Sequence, residues 1–168
     1  MNVMVAVASR HGRTREIGDR IGAVLYDAGF DVHVTYMTMV VDLGETDAVI
    51  LGSGVSMGKW ESTARRFVDT FFGELGSIPV WIFSSGSIAR DERRNDESAI
   101  LALGPIDSRI FVGDPDPHKL SMHELFACRL LRVPDDDVRD WDDIDRWTTD
   151  IAGALVEDRA KPVGRHAS

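Results

Sequence analysis

Apolar stretches of strand length alternate along this chain with segments whose apolar residues recur at helical spacing. That alternation predicts a parallel sheet wrapped by crossover helices. Val3 to Ala8 (VMVAVA) is a continuous apolar run, as expected of a strand covered on both faces. Ile17, Ile21, Val24, Leu25 and Ala28 follow at helical spacing, and Gly29 marks a C-terminal stop. Asp31 to Met37 alternates only in part (Val32, Val34, Tyr36), which suits a strand near the sheet edge. Asp47 to Gly52 (DAVILG) is the most strand-like segment of the chain.

The next helix has the clearest pattern. Ala64, Phe67, Val68, Phe71, Phe72 and Leu75 form one apolar stripe, with Arg65, Arg66, Asp69 and Glu74 off it. Pro79 to Ser85 (PVWIFSS) reads as a fourth strand with proline at its permitted first position. Arg90 to Glu97 is dense in charge and reads as a surface loop or the start of a short helix. Ser108 to Gly113 (SRIFVG) is a fifth strand, followed by a turn at Asp114-Pro115-Asp116-Pro117. Helices are expected over Leu120 to Leu131 and Trp141 to Glu157, the second capped by Asp140 or Asp143. The organisation is one domain over residues 1–158 and a flexible tail over 159–168. Its class is α/β, a doubly wound five-stranded parallel sheet with helices on both faces, in which ligands bind beyond the carboxyl ends of the strands.

Composition narrows the function. The 168 residues hold 19 Lys and Arg against 28 Asp and Glu, a formal net charge of −9. That balance argues against nucleic acid and against an anionic membrane surface. One cysteine, Cys128, excludes an internal disulfide framework or a Cys-rich metal site, and its place on an apolar helix face reads as a buried filler. His118 and His123 are poorly spaced for ligands on one helix face, so no metal is expected. The apolar runs are too short to insert stably in a membrane, and residues 1–8 lack the basic start of a signal peptide. The expected location is the cytoplasm.

Ser9-Arg10-His11-Gly12-Arg13-Thr14 leaves the first strand and enters the first helix. A phosphate needs inward-pointing N–H groups, short hydroxyl donors and a positive helix end, and this segment supplies them. An N-cap and a tight turn with solvated basic residues would give the same pattern, and both readings stay open on these residues. Other nucleotide motifs fail on spacing. A P-loop would need glycine where Ser53 stands and Ser or Thr where Trp60 stands. A dinucleotide fingerprint would need glycine at Met57. A receiver domain would need acidic residues where Ala8, Ser9 and Gly52 stand. After the third strand comes Gly52-Ser53-Gly54-Val55-Ser56-Met57-Gly58-Lys59-Trp60, with glycines for close approach and Met57 and Trp60 as polarizable or flat surfaces. Trp60 alone reads as a packing residue at a helix start. Ser84-Ser85-Gly86-Ser87 follows the fourth strand.

The segment from Ser9 to Thr14 resembles the hydroxyl–x–x–Gly–x–Thr phosphate loop of flavodoxins. Arg10, Thr14-Arg15-Glu16-Ile17, Gly58-Lys59-Trp60 and Asp140-Trp141 resemble the branch that contains menaquinone-dependent protoporphyrinogen IX dehydrogenase. The resemblance runs roughly from Val3 to Ala154. It implies a flavodoxin-like sheet of strand order 2-1-3-4-5 and FMN as cofactor. It also implies that Ser9, Arg10, His11, Gly12, Arg13 and Thr14 hold the phosphate. Ser53, Gly54, Val55, Ser56, Met57, Gly58, Lys59 and Trp60 would cover one side of the flavin ring, and Ser84, Ser85, Gly86 and Ser87 would bound the other. The implied function is an FMN-dependent oxidoreductase or electron carrier, protoporphyrinogen dehydrogenase-like with a quinone acceptor. No catalytic side chain is required, because the flavin carries the chemistry. The implied partners are a redox protein or quinone and a porphyrinogen substrate. Asp114 to Lys119, after the fifth strand, lacks the basic and aromatic character of the membrane-proximal insert in that branch, and eight acidic residues crowd Asp135 to Asp150. Two alternatives stay open: a flavodoxin-fold interaction module without FMN, since Arg10, His11 and Arg13 are bulky for such a loop, and a nicotinamide-dependent quinone reductase.

Overall fold

The structure, a computed structural model, describes residues 1–10, 12–56, 59–86, 98–112 and 140–160. Its elements in chain order are β1 (Asn2–Ala8), α1 (Arg13–Asp27), β2 (Asp31–Tyr36), a 3-10 turn (Met37–Met39), β3 (Ala48–Ser56) and β4 (Lys59–Trp60). Then follow α2 (Ser62–Leu75), β5 (Val80–Gly86), α3 (Ser98–Leu101), β6 (Asp107–Val112) and α4 (Trp141–Ala160). Five strands pair in parallel in the order β2-β1-β3-β5-β6, while two-residue β4 pairs antiparallel with the end of β3. Without β4 this is the expected 2-1-3-4-5 order, with β2 at an edge.

Side chains alternate across the sheet and divide the core in two. Val3, Val5 and Val7 of β1 face Ile17, Ile21 and Leu25 of α1 and Ile144, Trp147, Ile151 and Leu155 of α4. Met4, Ala6 and Ala8 face the other way, toward Ala64, Phe67, Val68, Phe71 and Leu75 of α2 and Ile100 of α3. Helices therefore cover both faces. Phe72, expected on the α2 stripe, is 44% exposed, beside the point where Phe71 departs from helical angles (φ −104°, ψ 15°).

The helix ends follow local chemistry. Past α1, Gly29 (φ 89°) donates its N–H to Tyr26 O and Phe30 donates to Leu25 O, a Schellman closure with Phe30 and Leu25 in one apolar cluster. Ala28 thus lies just beyond the helix. Asp140 caps α4 by accepting the Asp143 N–H at 2.9 Å, as expected. The guanidinium of Arg20 in α1 grips Asp145 of α4, Nε to Oδ1 at 2.7 Å. This hydrogen bond and the Arg20 charge hold the Asp145 carboxyl below its ordinary value, and the same contact raises Arg20. Trp147 donates its indole N–H to Asp107 Oδ2 at 2.7 Å and meets Phe111 edge-on. Helix α4 runs to Ala160, past the expected start of the tail. The expected loop at 90–97, the turn at 114–117, the helix over 120–131 with Cys128, and His118 and His123 all lie outside the described residues. No helix among the described residues is long and apolar enough to cross a membrane.

Candidate functional site

The register of the sheet brings three chain segments to one place. Ala8 pairs with Ser53 and Ser53 with Ser84, while one step further along Gly54 pairs with Ser85. The carboxyl ends of β1, β3 and β5 therefore finish side by side, and the turn into α1 opens beside them. This is the position at which strand order reverses, because β1 connects outward to β2 while β3 lies on its other side.

The turn from β1 to α1 depends on Gly12. Its φ of 82° lies in the left-handed region, and a Cβ there would meet nothing within 4 Å. Helix α1 starts at once, with Glu16 N–H bonded to Gly12 O at 3.0 Å. Thr14, only 3% exposed, places its hydroxyl 2.7 Å from the hydroxyl of Ser85. One proton fills that hydrogen bond, and the accepting hydroxyl keeps its own proton to donate elsewhere. The backbone N–H of Arg10 donates to Glu61 Oε1 at 3.1 Å, and Arg10 Nε lies 3.6 Å from Glu61 Oε2. The backbone N–H and the guanidinium of Arg10 thus both face the Glu61 carboxylate.

The glycine-rich segment after β3 differs from its expected form. Residues Ser53 to Ser56 continue β3 by four residues past the anticipated end, and Val55↔Trp60 and Ser56↔Lys59 close a hairpin. The extension is possible because Gly52 has no side chain: a Cβ there would stand 2.1 Å from Phe83 Cζ, so the ring fills the space the glycine leaves. Gly86 similarly makes way for Val55 O, 2.9 Å from where its Cβ would be. At Gly54 the picture changes, for the nearest atoms are Glu61 Oε1 at 3.1 Å and Thr14 Oγ1 at 3.5 Å. Trp60 is 4% exposed, packs in the α2-side core and donates its indole N–H to Ser84 Oγ at 2.9 Å. Ser53 Oγ accepts the Glu61 N–H at 3.1 Å, which turns the chain into α2.

Comparison with known proteins decides the family. Residues 4–128 match the family described as Flavodoxin domain, three quarters of the chain. The chain belongs to the flavodoxin domain family. This is a family of FMN-binding oxidoreductase and electron-transfer proteins. A curated relative, the protoporphyrinogen IX dehydrogenase [quinone] of Escherichia coli strain K12, is 25% identical over 101 residues, 58% of this chain and 56% of the relative. The chain thus spans little more than half the length of the curated relatives it matches. Among solved structures, a flavodoxin from the domain Archaea superposes with TM-score 0.52 at 21% identity, covering 89% of this chain and 99% of its own. A cysteine-to-serine mutant of flavodoxin from Pseudomonas aeruginosa gives TM-score 0.60 at 13% identity, with coverage of 93% and 99%. Rubredoxin oxygen:oxidoreductase from Desulfovibrio gigas gives 0.64 at 13%, covering 95% of this chain and 37% of that one.

Within this flavodoxin fold the anticipated site residues fall into groups. Ser9, Arg10, Gly12, Arg13 and Thr14 lie on the β1–α1 turn. Ser53, Gly54 and Val55 end β3, Lys59 and Trp60 form β4, and Ser84, Ser85 and Gly86 end β5. Ser56 pairs with Lys59 through the backbone. His11, Met57, Gly58 and Ser87 lie outside the described residues. The donor set fits a phosphate: a positive-φ glycine, a helix N-terminus, a buried hydroxyl pair and an N–H already holding a carboxylate oxygen. Glu61 was not anticipated. Its signal is a Glu at an N-cap, where Ser, Thr, Asp or Asn is usual, directly after the glycine-rich segment; its carboxylate makes no capping bond to its own helix.

Proposed function

We infer that this protein binds FMN and acts as an oxidoreductase or electron carrier, exchanging electrons with a redox protein or a quinone. The observation that carries the reading is the β1–α1 turn. There Gly12 opens the backbone, Thr14 and Ser85 supply buried hydroxyls, and the Arg10 N–H points at an anionic oxygen.

Ser9, Arg10, His11, Gly12, Arg13 and Thr14 would hold the phosphate. Ser53, Gly54, Val55, Ser56, Met57, Gly58 and Lys59 would border one side of the ring, and Ser84, Ser85, Gly86 and Ser87 the other. Trp60, expected beside the ring, is instead packed in the core and bonded to Ser84. When bound, FMN supplies one- and two-electron redox chemistry. The protein's part is to hold and tune it. Arg10 and Arg13 and the N-terminus of α1 offset the phosphate charge. The net charge of −9 disfavours an anionic reduced ring, which lowers its potential, and draws basic partners toward an exposed edge. The test is to load the protein with FMN, reduce it anaerobically and follow reoxidation by a menaquinone analogue in the visible spectrum. Rapid reoxidation supports the reading, and a rate equal to that of free reduced FMN contradicts it.

The curated relatives favour a narrower version, oxidation of protoporphyrinogen IX with a quinone acceptor. FMN-loaded protein should then form protoporphyrin IX, followed by its fluorescence, faster than the quinone does alone. No acceleration leaves an electron carrier without that substrate.

A further inference from the structure

Glu61 opens helix α2 through its backbone and not through its side chain. It occupies the N-cap, with its carbonyl accepting the N–H groups of Ala64 at 3.0 Å and Arg65 at 3.2 Å, yet its side chain makes no capping bond. The β3–β4 hairpin and the Glu61 N–H on Ser53 Oγ turn the residue back across Gly54. From there the carboxylate reaches the β1–α1 turn, 51 residues away in sequence, and accepts the Arg10 N–H. The side chain is only 15% exposed, whereas that of Arg10, 3.6 Å away, is 71% exposed. The space over Gly54 is bordered by Glu61 Oε1 and Thr14 Oγ1 together. One carboxylate oxygen therefore lies on the Arg10 N–H, a donor that a phosphate would use, at the edge of the space that Thr14 also borders.

We propose that Glu61 is a built-in anionic competitor for the phosphate cradle, which a phosphomonoester must displace from the Arg10 N–H before it can seat, so that Glu61 sets the protein's preference between phosphorylated and unphosphorylated ligands. The ligand class rests on the flavin reading; the contact itself does not. Two anions cannot share the Arg10 N–H without strong repulsion in a partly buried site. A dianionic phosphate must drive the carboxylate outward, and part of its attraction to the turn is spent on that exchange. A ligand with the same ring and no phosphate leaves Glu61 where it is and meets no such cost. Glu61 also holds the turn in shape before loading, because the Arg10 N–H would otherwise lack this partner.

The test compares wild type with Glu61→Gln, which removes the charge but keeps the shape, and with Glu61→Ala, which removes the acceptor. Glu61→Gln keeps an acceptor for the Arg10 N–H and should melt close to wild type, whereas Glu61→Ala leaves that N–H without this partner and should melt lower. FMN and riboflavin affinities are read by flavin fluorescence. Both variants should bind FMN about tenfold or more tightly than wild type, with riboflavin unchanged. Equal gains for both flavins, or an unchanged or weakened FMN affinity, would overturn the proposal. A second measurement does not depend on flavin. In the ligand-free protein, the backbone amide signal of Arg10 should move on titration with inorganic phosphate, at a lower concentration in Glu61→Gln than in wild type. The same midpoint in both proteins would overturn the proposal even if neither binds flavin, and absence of flavin binding with a lowered phosphate midpoint would reject the flavin reading alone.

Discussion

The hydroxyls of Thr14 and Ser85 lie 2.7 Å apart, joining the first turn of α1 to the end of β5 across 71 residues of sequence. Both residues are nearly buried, so neither hydroxyl can exchange its partner for water at no cost. The contact ties the anion-binding turn to the centre of the sheet rather than leaving it as a free loop. Ser85→Ala should therefore destabilise the fold by about 1 kcal/mol in urea unfolding. Thr14→Val, which keeps the shape, should weaken FMN more than riboflavin. Unchanged stability in the first, or equal losses in the second, would contradict this role.

Arg13 opens α1 next to the left-handed Gly12. Arg13→Ala should weaken FMN binding about tenfold and leave riboflavin nearly untouched, as expected for charge recognition of a phosphate. Equal loss for both flavins, measured by fluorescence titration, would remove the residue from the phosphate contact.

Gly52 and Gly153 make a matched pair. A methyl at Gly52 would collide with the Phe83 ring at 2.1 Å, whereas at Gly153, inside α4, it would meet nothing within 4 Å. Gly52→Ala should cost about 1–3 kcal/mol or prevent folding, and Gly153→Ala should gain about 0.5–1 kcal/mol through helix propensity. Denaturant midpoints read both. A tolerated Gly52→Ala would show that the ring can move aside.

The Arg20–Asp145 pair links α1 to α4 and carries a pH signature. Asp145 is held below the ordinary 3.8 by the Arg20 hydrogen bond. A carboxyl depressed in the folded state adds stability that is present above its unfolded value and lost as pH falls through its folded value. Wild type should thus exceed Asp145→Asn in stability near neutral pH. The difference should shrink once the pH drops below about 3.8, and also in high salt, because the pair is exposed. A gap independent of pH would assign the effect of the substitution to packing instead.

The fold was legible where one periodicity governed. Val3 to Ala8 and the α1 stripe of Ile17, Ile21 and Leu25 announce a doubly covered strand and its crossover helix, and Gly29 announces the stop; all three stand as read. Strand β3 was cut short because glycine and serine in Gly52 to Ser56 carry turn chemistry in any local reading. Only the Phe83 ring on the neighbouring strand explains why glycine is needed inside the sheet. Phe72 misled because helical spacing alone cannot register the departure at Phe71. In the site, the Ser9 to Thr14 turn was visible as a strand-to-helix junction, whereas its contacts were not. Ser85 meets Thr14 through sheet register, and Glu61 reaches Arg10 through a hairpin. Both are pairings of distant residues that no spacing rule encodes.

If the β1–α1 turn holds the phosphate of a flavin, calorimetric titration of the flavin-free protein with FMN and with riboflavin should separate the two ligands. FMN should occupy one site per chain, bound at least tenfold more tightly than riboflavin, with the difference narrowing as salt screens Arg10 and Arg13. No heat of binding with micromolar FMN, or equal affinities for the two flavins, would contradict this assignment.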